Sequence, residues 1–486
     1  MGNRHPRFNT LSLATAFVLG ACAFAPAFAA GKANLASLDD GSRSFGRFVV
    51  TYRAGTAPRR DAAALERSLG GAASALGLNP LQRLRRTATG SDVVTSSRPL
   101  SRAEATALMN TIAADPNVQS VENDMRMVSY LTPDDTRFSE QFGYGSGAGG
   151  IRATAAWDAT LGAGTVVAVI DTGIASHSDL NDNVLAGYDF ISPLTGATAQ
   201  RYGAFFMAAD GNGRDANPAD PGDWNNDASF CQTGNSSWHG THVAGTVAAV
   251  TDNAKGVAGT APAAKIVPVR VLGRCGAFGS DIADAIIWAS GGAVSGVPAN
   301  PNPADVINMS LGGVNPGACP QVYKDALAGA ARRGSIVVVA AGNSNANAST
   351  AVDGNGRAVG YTMTNCGNVI SVGSVTSTGA RSSFSNYGAG VDIAAPGSGI
   401  LSTINNGTRG PTTEGYASYN GTSMASPHVA GVAALVQSVA STPLTLEQMR
   451  TLLKNSARAF PVSPGAKPIG AGIVNADAAV KAAKAR

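Results

Sequence analysis

The feature that most constrains this chain is a unit that recurs from about Trp157 onward: a short apolar run rich in β-branched residues, a glycine-containing turn, then a helix-like segment. The runs are Val166 to Ile170, Ile266 to Val271, Val306 to Met309, Ile336 to Ala340 and Val369 to Val372. They are apolar nearly throughout rather than alternating, which is the pattern of strands covered on both faces. Helical spacing follows in His242 to Val250, Asp281 to Ala289, Tyr323 to Arg332 and Ser426 to Ser438. Strand and helix in repetition predict an α/β fold, a mostly parallel central sheet with helices on both faces. In such sheets functional groups gather beyond the carboxyl ends of the strands. Asp171 and Asn343 each stand just past such an end.

Residues 45 to 130 read as a separate, small α+β module. Phe48 to Tyr52 is strand-like, Asp61 to Leu69 and Arg102 to Ala114 are helix-like, and Val118 to Val121 and Met125 to Val128 are strand-like again. Thr132-Pro133-Asp134-Asp135 then breaks the pattern as a linker or processing point. At the N-terminus, Arg4, His5 and Arg7 precede an apolar segment from Leu11 to Phe28 and the small-residue site Ala27-Phe28-Ala29. That is the pattern of a secretory signal peptide cut after Ala29. A membrane anchor fits less well, since the segment is Ala-rich, contains Pro26 and lacks a charged stop. Leu19-Gly20-Ala21-Cys22 also resembles a lipoprotein box, which would leave Cys22 acylated. The expected organisation is therefore 1–29 signal, 30–131 module and 132–486 main domain, in a protein exported to the periplasm or medium and not held in a membrane.

Of the 486 residues 44% are hydrophobic and 14% charged, enough to bury a large core. The net charge of +4 contains no long basic block, so no nucleic-acid partner is expected. Export makes Cys231, Cys275, Cys319 and Cys366 disulfide candidates, with three pairings open.

The chemistry centres on Tyr419 to Leu435, where Ser423 precedes an Ala- and Gly-rich apolar helix. On its own a Gly-Thr-Ser before a helix is an ordinary cap, and Pro427 suits a first helical turn. Three other segments change that reading. His239-Gly240-Thr241-His242 opens a helix and places His239 at its rim as a candidate base, with His242 facing inward. Without a Glu-containing zinc motif, a metal pair there is discounted. Asp171 ends a buried strand, where a carboxylate needs a partner such as the His239 imidazolium. Asn343, after Ala340-Ala341-Gly342, could donate to a developing oxyanion alongside the Ser423 amide.

Asp171-Thr172-Gly173, His239-Gly240-Thr241-His242, Ala341-Gly342-Asn343 and Gly421-Thr422-Ser423-Met424-Ala425 together resemble the four signatures of the subtilisin-like serine proteases, in that family's order. The resemblance covers about residues 157 to 480. It implies a secreted serine endopeptidase in which Ser423 attacks, His239 carries the proton, Asp171 orients the imidazole and Asn343 holds the oxyanion. Ser310, Leu311, Gly312 and Gly313 resemble the family's substrate-binding strand, and Gly276, Ala277 and Phe278 its edge partner, pairing with an extended substrate. Ala340, Ala341 and Gly342 would line the main side-chain pocket, whose floor falls between Ala346 and Cys366. The long insertion between Asp171 and His239 resembles secreted bacterial proteases of the Dichelobacter and Xanthomonas type, in whose pattern Cys231 pairs with Cys275 and Cys319 with Cys366.

The resemblance also implies that the 30–131 module is an inhibitory propeptide, a partner of its own catalytic domain, feeding Met127 to Leu131 into the site as first substrate. Other partners would be protein or peptide substrates, and the chain would act as a monomer. Structural calcium is implied at Asp179, Asn253, Thr251, Lys255 and Val257, partly through backbone carbonyls. Asp210, Asp215, Asp220 and Asp223 form a second, glycine-kinked acidic run that would either bind calcium or be solvated. Two rivals are weaker. An esterase needs Gly-x-Ser-x-Gly and a different order of acid, base and nucleophile, and position 425 is Ala. A non-catalytic binding protein would have no use for all four groups.

Overall fold

The computed structural model describes residues 30–38, 44–125, 132–312, 319–349 and 363–486. The signal segment, Cys22, Met127 to Leu131, Gly313 and part of the expected pocket floor lie outside the described residues. Two compact units divide the chain, Met1–Met127 and Val128–Arg486. No described helix is long and apolar enough to cross a membrane.

In the first unit β1 (Lys32–Asn34), β2 (Phe45–Tyr52), β3 (Gln82–Arg86), β4 (Asp92–Leu100) and β5 (Val118–Asn123) form a sheet in the order β1-β5-β2-β4-β3. A short turn of helix, α1 (Ala57–Arg60), precedes α2 (Ala62–Ser74), and α3 (Arg102–Ala114) connects β4 to β5. The core joins Phe48, Val50 and Tyr52 of β2 to Leu65 and Leu69 of α2 and Leu108 and Ile112 of α3, so the alternating inward residues of the sheet meet one stripe of each helix. Asp61 caps α2, and a Ser101–Glu104 capping box starts α3. The other expected elements are present; of the expected Met125 to Val128 strand only Met125, beyond the end of β5, falls within the described residues. Strand β3 was not foreseen: Gln-Arg-Leu-Arg-Arg is exposed throughout. It owes its conformation to pairing with β4 and to Arg83 and Arg86, which flank the buried Asp92.

The second unit opens with α4 (Ala153–Trp157) and is built on seven parallel strands: β6 (Val166–Asp171), β7 (Tyr188–Asp189), β8 (Lys265–Arg270), β9 (Val306–Met309), β10 (Ile336–Ala340), β11 (Ile370–Val375) and β12 (Ile393–Pro396). Helices α5 (Gly196–Tyr202), α6 (His239–Ala248), α7 (Gly279–Ala289) and α8 (Gln321–Arg332) lie between strands, and a hairpin, β13 (Ile400–Asn405) and β14 (Glu414–Tyr419), precedes α9 (Thr422–Val439), α10 (Leu446–Ser456) and α11 (Ala476–Lys484). The sheet order is β12-β11-β10-β9-β6-β8-β7.

Both faces of this sheet are covered, as the apolar runs require. Val167, Val169, Ile336 and Val338 join a core with α6, α9, α10 and α11. Their alternates Ala168, Ile170, Val337 and Val339 join another with α7 and α8. Helix α9 is buried along almost its whole length because its small residues allow close approach: a Cβ at Gly431 would lie 2.5 Å from Thr260. From β6 the chain goes to the edge strand β7, returns to place β8 between them, then crosses to the other side of β6 and continues outward through β9 to β12. This reversal makes the ends of β6 and β9 a crevice suited to a site.

Candidate active site

Asp171 is the last residue of β6 and is fully buried. His239 Nδ1 lies 2.8 Å from its Oδ1 and 3.0 Å from its Oδ2, and the Thr172 amide donates to Oδ1 at 2.8 Å. His239 is the first residue of α6, introduced by the left-handed Trp238 (φ 50°), whose indole donates to the Gly407 carbonyl. The first turn of α6 passes so close to β6 that a Cβ at Gly240 would stand 2.2 Å from the Gly173 oxygen. Thr172 Oγ1 fastens the two segments, accepting from the Gly240 amide at 3.0 Å and donating to Asp220 at 2.7 Å.

Burial works against a charged imidazole, yet the pKa of His239 is raised. The charge and hydrogen bond of Asp171, with Asp223 and Asp220 behind it, outweigh the desolvation. The His239 side chain keeps 22% of its surface exposed, so one edge of the ring still faces the cleft. His242, one turn on, is buried, bonds the Ile400 and Ala417 carbonyls through Nε2 and stacks on Tyr419. Burial lowers its pKa to about 3.

Ser423 is the second residue of α9. Its hydroxyl does not cap the helix: the N-cap is Gly421, with no side-chain bond. Instead Ser423 Oγ donates to the Ser310 carbonyl at 3.2 Å rather than to His239, a looser arrangement than a substrate complex needs. Asn343 Oδ1 accepts from the Thr422 amide (2.8 Å) and hydroxyl (2.9 Å), which turns its Nδ2 the other way. A point one Cβ length from Gly421 lies 3.4 Å from Asn343 Nδ2 and 3.5 Å from the Ser423 amide nitrogen, so two N–H groups border one small space. Thr422 Oγ1 also accepts from the Gly342 amide at 3.0 Å.

A cleft of about 320 Å³ opens beside His239, lined by Thr172, Asp223, Ser237, His239, Leu272, Gly273, Cys275, Gly276, Ser310, Leu311 and Gly312. Ser310, which bonds Ser423, therefore shares the cleft with His239. Gly276 lines it from a tight turn, bonded in both directions to Gly273, while Phe278 precedes α7 and is 43% exposed. Ala340 closes β10, and Gly342 has φ 102°. The structure forms the Cys231–Cys275 and Cys319–Cys366 disulfides.

The acidic residues of the inserted segment, expected either to bind calcium or to be solvated, have other partners here. Asp210 pairs with the buried Arg270 at 2.9 Å, and Asp215 accepts from the Asn212 side chain and the Asn217 amide. Asp220 holds Thr172 and the Gly222 amide, and burial pushes its pKa up to about 7. Asp223 holds both Ser237 N (2.6 Å) and Ser237 Oγ (2.8 Å), two residues before His239. Among the described residues no three acidic, histidine or cysteine side chains converge as a metal-binding group. The acidic run is drawn apart because each carboxylate has its own donors.

An acid–imidazole pair at one strand end, a serine at a helix start and a pair of N–H donors, all on a parallel α/β sheet, define a serine hydrolase of the subtilisin architecture. Residues 162–479 match the model of the subtilase family. The chain belongs to that family and is a subtilisin-like serine protease. It is similar to the extracellular protease of Xanthomonas campestris pv. campestris, 56% identical over 94% of this chain and 76% of that protein. It also resembles the extracellular basic protease of Dichelobacter nodosus, 41% identical over 90% of this chain and 70% of the relative. A solved protease structure from Pseudoalteromonas arctica shares 48% identity and a TM-score of 0.66, covering 73% of this chain and all of that one.

Proposed function

We propose that this protein is an exported endopeptidase, made as a zymogen, that cleaves proteins through an acyl-enzyme. The supporting observation is the doubly bonded His239–Asp171 pair opening onto the cleft that Ser310 shares, with Ser423 tied to Ser310. An extended substrate lies along Ser310, Leu311 and Gly312, with Gly276 opposite. Ser423 Oγ attacks the scissile carbonyl and His239 Nε2 takes its proton. Asp171 keeps the other imidazole nitrogen protonated and stabilises the imidazolium. The oxyanion enters the space between Asn343 Nδ2 and the Ser423 amide, at the positive end of α9. His239 then returns the proton to the leaving amine, and water repeats the sequence on the ester. Ser423→Ala is expected to abolish casein cleavage and removal of the first unit. Wild-type cleavage by that variant would overturn the assignment.

The first unit is read as the propeptide, which inhibits until it is cut away, and residues 1–29 as the export signal. The relatives named extracellular proteases support the secreted reading.

Calcium fits one of the two expected places. Asp135 Oδ1 is buried without a hydrogen-bond partner. Burial, and the nearby charge of Asp179 after it, raise the Asp135 pKa. Around them Asp252 and Ala254 take positive φ, 63° and 59°, winding the loop that carries Asn253. Asp135 and Asn253, with Asp179, whose carboxylate here also accepts from Asn253 Nδ2 (2.8 Å), the Val257 amide (2.9 Å) and the Tyr416 hydroxyl (3.2 Å), and with the carbonyls of Thr251, Lys255 and Val257, would hold the ion, which when bound neutralises the two acids and braces the loop. Asp135 is not among the ligands expected from the sequence, where Thr132-Pro133-Asp134-Asp135 reads as a linker or processing point. Chelation is expected to lower the melting temperature through a loss of about 2.7 kcal/mol of unfolding free energy, where calcium stands at a hundred times its Kd. In Asp135→Asn that sensitivity should shrink. A chelator-insensitive melting curve contradicts the site.

A further inference from the structure

Pro427 stands inside α9, at its sixth position, not in the first turn where the sequence pattern placed it. A proline has no amide hydrogen, so the carbonyl four residues earlier loses its helical bond, and the proline ring crowds that same oxygen. The residue four earlier is Ser423. Its carbonyl is not left unpaired: Ser310 Oγ donates to it at 2.7 Å, while Ser423 Oγ rests on the Ser310 carbonyl at 3.2 Å.

Behind Ser310 the hydrogen bonds continue inward. Asn308 Nδ2 donates to Ser310 Oγ at 3.0 Å, and Asn308 Oδ1 accepts from Ser426 Oγ at 2.7 Å. Asn308 and Ser310 are two apart from the end of β9 onward, and Ser423 and Ser426 are three apart on α9, so each pair shares a face. Asn308 and Ser426 are fully buried and Ser310 is 4% exposed. Asn308 sits mid-sheet, in register with Val169 and Val338. An amide at such a place is costly unless both ends are bonded, and an apolar residue would pack there at less cost. The direction of each bond follows from the one before. The Ser426 proton on Oδ1 turns the amide donor toward Ser310, which leaves the Ser310 proton the Ser423 carbonyl.

We propose that Ser426, Asn308 and Ser310 act as a positioning relay for the nucleophile, replacing the hydrogen bond that Pro427 denies to the Ser423 peptide. Held this way, Ser423 keeps its amide toward the oxyanion space and its hydroxyl within reach of the cleft. The inference rests on Ser423 being the nucleophile. If that reading fails, Ser423→Ala stays active; if only the relay fails, Ser423→Ala is dead and the relay variants are not impaired.

The test uses the mature enzyme carrying Ser426→Ala, Ser310→Ala or Asn308→Ser. Each is assayed for kcat and KM on a peptide anilide and for the labelling rate with a small fluorophosphonate that does not need the substrate strand. Loss of one such hydrogen bond predicts a fall of roughly five- to tenfold in kcat and in labelling rate together. KM should change by less than about twofold, since the interaction lost is not one made to the ground-state substrate. Introducing Pro427→Ala, which restores an amide donor to the Ser423 carbonyl, should shrink the Ser310→Ala effect. Raised KM with unchanged labelling, a lowered melting temperature with unchanged kcat, or a full-sized Ser310→Ala effect in the Pro427→Ala background would each overturn the proposal. If the Pro427→Ala protein does not fold, the labelling rates of the single variants decide alone.

Discussion

The two banks of the candidate active site are built on opposite principles. On the bank of Asp171 and His239 the working groups are charged, and further carboxylates, Asp220 and Asp223, stand behind them on the inserted segment. On the bank of Ser423 the bonds to Ser310, Thr422 and Asn343 are all between neutral groups. The difference matches the chemistry. A base must be tuned in pKa, which takes charge; a nucleophile and an oxyanion space must be fixed in place, which takes short, directional hydrogen bonds. The acid–base bank should therefore respond to pH and charge, and the nucleophile bank to the loss of single donors.

The largest effect should come from Ser423→Ala, which on the proposed mechanism removes the reacting atom. A fall of about 10⁶-fold in kcat is expected, the scale known for subtilisin rather than one derived from this chain. Asn343→Leu should come next. It removes a donor felt mainly in the transition state, so kcat should drop by about 10² to 10³-fold, again on subtilisin's scale, with KM little changed. An equal loss in KM would show that Asn343 binds the ground state and would erase the contrast between the banks.

Smaller effects probe the charged bank. Cys231→Ser with Cys275→Ser frees the inserted segment, whose bridge closes a separation of 44 residues. A loss of about 2–4 kcal/mol in unfolding free energy is expected, read from the denaturation midpoint. Asp223→Asn should have the mildest effect and the most specific. As the proposed base, His239 must be neutral to act, so kcat/KM should rise with pH as it loses its proton, and its raised pKa puts that rise above about pH 6.5. Removing the Asp223 charge lowers the His239 pKa, so the acid limb should move to lower pH. A limb that stays or moves upward contradicts the electrostatic account.

Much of this was legible in the sequence because it is local. A strand covered on both faces shows as an apolar run; Asp171 ends one, Asn343 follows another by three residues, and His239 and Ser423 lie in the first turns of helices. What was not legible depends on contacts between distant segments. Nothing around Thr172 announces that it joins Gly240 to Asp220, and nothing around Asp210 announces Arg270. The acidic run invited a metal reading because composition cannot show which donors each carboxylate will find. Asn308 sits in a run otherwise apolar and could have been questioned as a polar residue at a core position; its partner Ser426 lies 118 residues away. Pro427 was assigned to a first turn because helix starts are read only to within a few residues, and here that margin conceals which carbonyl loses its donor.

The central claim is that Ser423 is a nucleophile activated by His239. It is tested most directly by treating the mature protein with a fluorophosphonate across pH and locating the adduct by peptide mapping. The account predicts a single adduct on Ser423, forming faster as pH rises through the acid limb and lost in His239→Ala. An adduct on another serine, or Ser423 labelling unchanged by pH and by His239→Ala, would contradict it.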